Sequence, residues 1–259
     1  TAGIPGVTGG NPGLSEETAE TVTFGVVLEP EQWVPGLRVI VDYYEITIDG
    51  AIDALSAQRV SEACVDLPSV NNGFCPLITR DPQGFITFHQ SGQVNLGSLE
   101  TSGIDFGVNY DIGLGSYGEL SLGVTGTHLV DWKEFQDPID TTVFEDRVGE
   151  FSFPEWITNF NARWYFDKLT VSWSARYEAS QNLPGIQNRQ LAANPLFVDP
   201  NETGRGIVHD YNIGWDFNDS ISVYAGLNNA FDKRPYLGTL SRPAGPRGRF
   251  FFAGASYRM

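Results

Sequence analysis

The sequence holds two cysteines, one methionine and three histidines in 259 residues. No apolar run approaches the roughly 20 residues that a membrane-spanning helix needs, so a helical membrane protein is excluded. Basic residues are scarce: 16 Lys and Arg stand against 32 Asp and Glu, a formal net charge of -16. That balance argues against nucleic acid as a partner, because phosphate backbones are held by cationic surfaces. It suits an acidic outer surface that holds divalent cations, or plain solubility. The opening Thr1-Ala2-Gly3-Ile4-Pro5-Gly6 lacks the basic start and apolar run of a leader. Either a leader has been removed or the chain starts within a longer protein.

Reactive constellations are also missing. His89, His128 and His209 are dispersed and not spaced as metal ligands. There is no phosphate loop and no Gly-x-Ser-x-Gly. The expectation is a protein that is not an enzyme and carries no cofactor. Asp199-Pro200-Asn201-Glu202 suits a calcium site or an ordinary turn. Cys64 and Cys75 flank a turn-rich stretch, which suggests a disulfide in an oxidising compartment; two free buried thiols are the alternative.

What the chain has in quantity is period-two alternation, the mark of strands with one apolar and one polar face. Leu169, Val171, Trp173, Ala175 and Tyr177 alternate with Lys168, Thr170, Ser172, Ser174 and Arg176. Tyr211, Ile213, Trp215 and Phe217 alternate with Asp210, Asn212, Gly214 and Asp216. From Leu37 the pattern begins well and loses phase at Glu45, which reads as a strand leaving a membrane or as a bulge. About nine strands are predicted: Thr18–Glu29, Leu37–Asp49, Gly97–Ile112, Glu119–Trp132, Pro154–Phe166, Lys168–Tyr177, Ile207–Phe217, Ser220–Phe231 and Arg249–Met259. Between them the pattern changes from Ala51 to Ala63, and the helical propensity and spacing of Ala51–Val60 predict a short helix in the first long loop, tied at its end by Cys64. Ile78–Thr87 reads as a small hairpin.

A soluble sandwich also alternates, but three features favour an all-β transmembrane antiparallel barrel. Aromatic residues gather near strand ends, as membrane girdles require. Short connections (Pro30 to Gly36, Gly113 to Gly118, Asp167-Lys168, Asn218-Asp219) alternate with long ones (Gly50 to Gln93, Lys133 to Pro154, Ser180 to Arg205, Asp232 to Arg247), as periplasmic turns alternate with extracellular loops. The chain also ends on an alternating strand, although Met259 stands where barrel assembly signals usually end on an aromatic. An odd strand count does not close a single-chain bacterial barrel. The edge strands therefore expect partners from further sequence or another chain, since an open edge cannot face lipid.

Five stretches then resemble one family. Asn11-Pro12-Gly13-Leu14-Ser15-Glu16-Glu17, Asp42-Tyr43-Tyr44-Glu45-Ile46 and Leu99-Glu100-Thr101-Ser102-Gly103-Ile104-Asp105 are similar, in order, to motifs of TonB-dependent outer-membrane receptors. Gly226-Leu227-Asn228-Asn229-Ala230-Phe231-Asp232-Lys233-Arg234-Pro235 resembles that family's most specific signature, and Gly248-Arg249-Phe250-Phe251 its last strand. The resemblance implies the C-terminal part of a 22-stranded barrel plugged by a separate domain. It also implies active import of a scarce nutrient with TonB energy. Residues 1–259 would then form one part of one barrel domain, with the plug and earlier strands outside this chain. The implied partners are outer-membrane lipid and lipopolysaccharide, the rest of the barrel and its plug, TonB acting through that plug, and an extracellular small-molecule nutrient. An oligosaccharide or other organic nutrient is preferred over a ferric siderophore. A passive pore or structural barrel subunit is one alternative, and a secreted carbohydrate-binding sandwich another.

Ligand contacts should lie in the long loops. Trp132, Phe135, Phe144 and Phe153 supply aromatic faces for sugars or planar ligands; girdle placement for Trp132 and loop packing for the Phe residues are the bland alternatives. Tyr236 with Arg242 and Arg247, flanked by Arg234 and Arg249, suits a carboxylate or phosphate clamp or pairing with acidic loops.

Overall fold

The computed structural model describes residues 3–95, 97–135, 144–182, 206–234 and 247–258. In chain order the strands are β1 (Gly6–Gly9), β2 (Thr18–Leu28), β3 (Leu37–Asp49), β4 (Ile52–Leu55), β5 (Ile78–Arg80), β6 (Ile86–Asn95), β7 (Ser98–Gly113), β8 (Glu119–Glu134), β9 (Glu145–Asp146), β10 (Trp156–Phe166), β11 (Leu169–Glu178), β12 (Gly206–Asn218), β13 (Ile221–Asn228) and β14 (Phe250–Tyr257), with one helix, α1 (Ala57–Asp66). The chain divides into two compact units: residues 1–22, 45–102 and 131–147, and residues 23–44, 103–130 and 148–259. One boundary falls at 44/45, where the alternation of β3 loses phase. Among the described residues no helix is long and apolar enough to cross a membrane.

One sheet path runs β2-β3-β7-β8-β10-β11-β12-β13-β14, with β9 added on β8. These nine strands are the nine expected from alternation, each end agreeing to within about three residues, the usual accuracy of such boundaries. Among the described residues the path ends at β2 and β14 and does not close. The pairs from β8 to β14 are antiparallel, and their register keeps like faces together. On one face Leu120, Trp164, Val171, Ile213 and Ala225 follow one another across five strands. On the other, Ser121, Arg163, Ser172, Asn212, Gly226 and Phe252 form a row across six.

A one-residue slip would interleave the two sets, so the pattern itself fixes the register. The turn between β10 and β11 is two residues long, with Asp167 at φ 50°, a conformation that Asp tolerates better than most side chains. Aromatic pairs sit toward the strand ends. Trp164 stacks on Phe166 at 5.7 Å and donates from Nε1 to the Tyr117 carbonyl at the short-turn end. Trp156 stacks on His128 at 4.1 Å at the long-connection end.

The first unit is built differently. Its sheet runs β1-β6-β4, with β5 also on β6. The β5–β6 hairpin is the one expected at Ile78–Thr87, and the Cys64–Cys75 disulfide is formed. The helix expectation needs correction. Residues expected to open the helix instead form β4, paired antiparallel to β6 through Ile52↔Asn95 to Leu55↔Gly92, so pairing with residues some forty positions later overrides local helix propensity. The helix begins after Ser56, whose Oγ accepts the Arg59 N–H, and Cys64 ties its last turn to Cys75 as expected. Strand β1, parallel to β6, had no signal in the alternation.

Leu55, Val60, Ala63, Cys64 and Phe74 form a buried cluster, Val60 being fully enclosed. Buried Asn72 ties it together. Its Nδ2 donates to the carbonyls of Ala63, Cys64 and Ser69, while its Oδ1 accepts the N–H groups of Phe74 and Cys75.

Candidate ligand-binding site

The last residues of β8 extend past the level at which β10 begins, since Trp156, the first residue of β10, pairs with His128. There β8 pairs with β9 instead, through Lys133↔Asp146 and Glu134↔Glu145. β8 has 16 residues, about five more than a barrel strand needs to cross a bilayer.

The hairpin gathers rings and charges within the first unit. Phe135 and Phe144 lie 5.3 Å apart, tilted by 45°. The Lys133 ammonium stands 5.7 Å from the Phe144 ring centre, within cation–π range. Lys133 also pairs with Asp131 at 2.8 Å, and Asp131 accepts the Ser102 hydroxyl. The hydrogen bond that Lys133 donates to Asp131 holds the carboxyl below its usual range and raises the ammonium above its own. Both groups therefore stay charged across the neutral range. The Trp132 indole donates to Glu134, Arg147 approaches Glu134 and Glu145, and Arg59 of α1 reaches Glu145 at 3.8 Å. A ring pair with a fixed cation and several carboxylates can stack a flat or sugar-like ligand and bond its hydroxyls.

Three of the expected contact residues, Trp132, Phe135 and Phe144, are thus on one hairpin. Phe153 belongs to the second unit, in a turn where its N–H donates to the Glu150 carbonyl and its own carbonyl accepts the Gly149 N–H. Arg247, also of the second unit, is exposed beside Gly248. Tyr236 and Arg242 lie outside the described residues, as does the Asp199–Glu202 stretch. Lys133 and the Arg59–Glu145–Arg147 set were not singled out from sequence. Their signal was the pattern of opposite charges at Asp131/Lys133 and Glu145/Arg147, readable only once the hairpin is recognised.

The motif residues prove to be structural clamps. Asn229 accepts the Lys233 N–H and donates to its carbonyl, while Asp210 accepts the Asn229 N–H. Asp232 accepts the Arg249 N–H, joining the two ends of the connection between β13 and β14. Asn11, Ser15 and Glu17 are stitched to Gln93, Asn95 and Ile52 by hydrogen bonds in the first unit. Tyr44 lies over Gly103, where any side chain would collide with its ring.

The family model for the TonB dependent receptor-like β-barrel matches residues 1–230. No curated protein matches the chain. Among solved structures, the siderophore receptor PirA from Acinetobacter baumannii is similar with a TM-score of 0.62 at 15% identity, over 96% of this chain and 33% of that one. A ferric enterobactin receptor (PfeA) variant from Pseudomonas aeruginosa in complex with enterobactin gives 0.60 at 14%, over 96% and 32%. The FrpB iron transporter from Neisseria meningitidis gives 0.59 at 16%, over 97% and 33%. The chain spans about a third of the length of these structures, and at such identities the likeness is one of fold. With nine strands in the expected order and the model matched along 230 residues, the chain belongs to the TonB-dependent receptor-like β-barrel family.

Proposed function

We propose that this chain is the C-terminal part of the wall and loops of an outer-membrane active-transport receptor. Its long connections face outward and bind a scarce nutrient, and TonB drives import through a plug supplied by the rest of the protein. The apolar face meets membrane lipid, with lipopolysaccharide around the outer rim. The observation that carries the reading is the β8–β9 hairpin, where Phe135, Phe144 and Lys133 form an aromatic and cationic face on a strand longer than a membrane crossing. Paired rings flanked by carboxylates favour a neutral polyhydroxylated nutrient such as an oligosaccharide.

A second reading, a ferric siderophore, is favoured by exposed Arg247 and by the ligand in the PfeA complex. The two readings separate in binding to the full-length receptor in outer-membrane vesicles, with maltotriose, cellotriose and raffinose as neutral probes and ferric enterobactin as the anionic one. Removing the Phe144 ring (Phe144→Ala) should weaken trisaccharide binding about five- to tenfold. Binding of ferric enterobactin alone, lost in Arg247→Gln and kept in Phe144→Ala, would establish the second reading.

A further inference from the structure

Basic residues are scarce in this chain, yet four of its 16 Lys and Arg fall on two short exposed segments: Lys233 and Arg234 after β13, and Arg247 and Arg249 before β14. The fold sets these segments side by side. Asp232 Oδ1 accepts the Arg249 N–H at 3.0 Å and lies against Gly248, where a Cβ would stand 2.8 Å from it. Asn229 pins the first segment by bonding both the N–H and the carbonyl of Lys233. Four cations therefore stand around one carboxylate, Asp232, at the long-connection end of the sheet.

The apolar face of the second unit rises to that level. Trp173, Tyr211, Leu227 and Phe251 form one row across β11 to β14. Two residues further toward the long connections come His209 on β12 and Arg249 before β14. The Trp173 indole donates to His209 at 3.2 Å, and Phe231 packs edge-on against the same imidazole at 5.1 Å. Phe231 and Phe251 are each 69% exposed. Arg249 continues Phe251, Ala253 and Ala255 by the same period of two, not the opposite set of Phe250 and Phe252. An apolar row, then rings, then cations is the order of acyl chains, interface and headgroups at a bilayer edge.

Resting on the outer-membrane reading above, we propose that this cluster is a site for the phosphate groups of lipid A, the membrane anchor of lipopolysaccharide, with Phe231 and Phe251 against its acyl chains. The other strands of a barrel extend its wall sideways and a plug fills its lumen, so neither covers the outward face. Charge selects the occupant. A chain of net charge -16 repels an anionic leaflet except where cations gather, and guanidinium groups bond phosphate in bidentate fashion.

The test uses the full-length receptor in detergent, with native mass spectrometry counting bound lipid. The probes are lipid A carrying both phosphates and the same lipid with both removed. Arg234→Gln combined with Arg249→Gln is the variant, and Arg258→Gln, at the opposite end of β14, is the control. Flotation of the receptor with outer membranes in a sucrose gradient is measured separately.

The double variant should bind phosphorylated lipid A about tenfold more weakly than the wild type, and the control should match the wild type. Dephosphorylated lipid should bind the wild type and the double variant alike. Unchanged binding of phosphorylated lipid in the double variant overturns the site, as does an equal loss with both lipids or in Arg258→Gln. Displacement of lipid A by equimolar ferric enterobactin would assign the cations to an imported anion and also overturn it. A receptor that does not float with outer membranes defeats the membrane reading first, and the lipid site falls with it.

Discussion

The two units hold together in opposite ways. The first has a buried cluster around Val60 and Phe74, a disulfide across it, and an asparagine serving five main-chain partners. The second, among the described residues, buries only the small apolar side chains of Pro154 and Ala175, while Ile213 is 50% exposed and Phe251 69%. A water-soluble sheet with that exposed face would aggregate. The first unit makes its own apolar phase, and on the membrane reading proposed above the second borrows the bilayer as its own. On that reading, lipid covers Ile213 and the other apolar side chains of the same face.

The largest effect should come from charging the borrowed face. Ile213→Arg, mid-strand on β12 opposite Val171, is expected to cost about 2–4 kcal/mol in urea unfolding from lipid vesicles. The neighbouring Asn212→Arg should cost less than about 1 kcal/mol, since lumen positions tolerate charge. Equal costs would erase the distinction between the faces.

Next come changes to the first unit. Cys64→Ala with Cys75→Ala should lower its stability by about 3 kcal/mol on the chain-entropy view. Asn72→Ala should cost about 2–3 kcal/mol by stranding buried donors and acceptors. Amide exchange should then rise over α1 and β5 and stay constant over β10–β13. Exchange that rises in both units together would mean that they share one cooperative core.

A smaller effect is expected at Gly226, where an added methyl would collide with the Phe252 ring. Gly226→Ala should cost about 1–3 kcal/mol as that ring shifts. The smallest belongs to Arg38→Gln, which removes an ion pair with Glu29 that is half exposed at both ends. A change under about 1 kcal/mol is expected from thermal melting.

The strands were legible because two different phases press on the two faces of each one. Asn212 and Ile213 are neighbours with opposite demands, and that contrast repeats along β8 to β14. In the first unit the demand is not periodic. Ile52–Leu55 looks helical until its partner, the Gly92–Asn95 segment, is known, and Gly6–Gly9 becomes a strand through residues 89–92. At the candidate site, the density of aromatics around residues 132–144 could be read directly. The Lys133–Phe144 contact and the Arg59–Glu145 pair could not, since one needs hairpin register and the other a docked helix.

The most direct test of this account is the accessibility of spin labels placed singly along β12 of the full-length receptor in lipid. Labels at Tyr211, Ile213 and Trp215 should relax with membrane-dissolved oxygen, and labels at Asn212 and Gly214 should not, giving a period of two along the strand. Equal access of a water-soluble nickel chelate to both sets would contradict a membrane barrel and return the chain to a soluble sandwich.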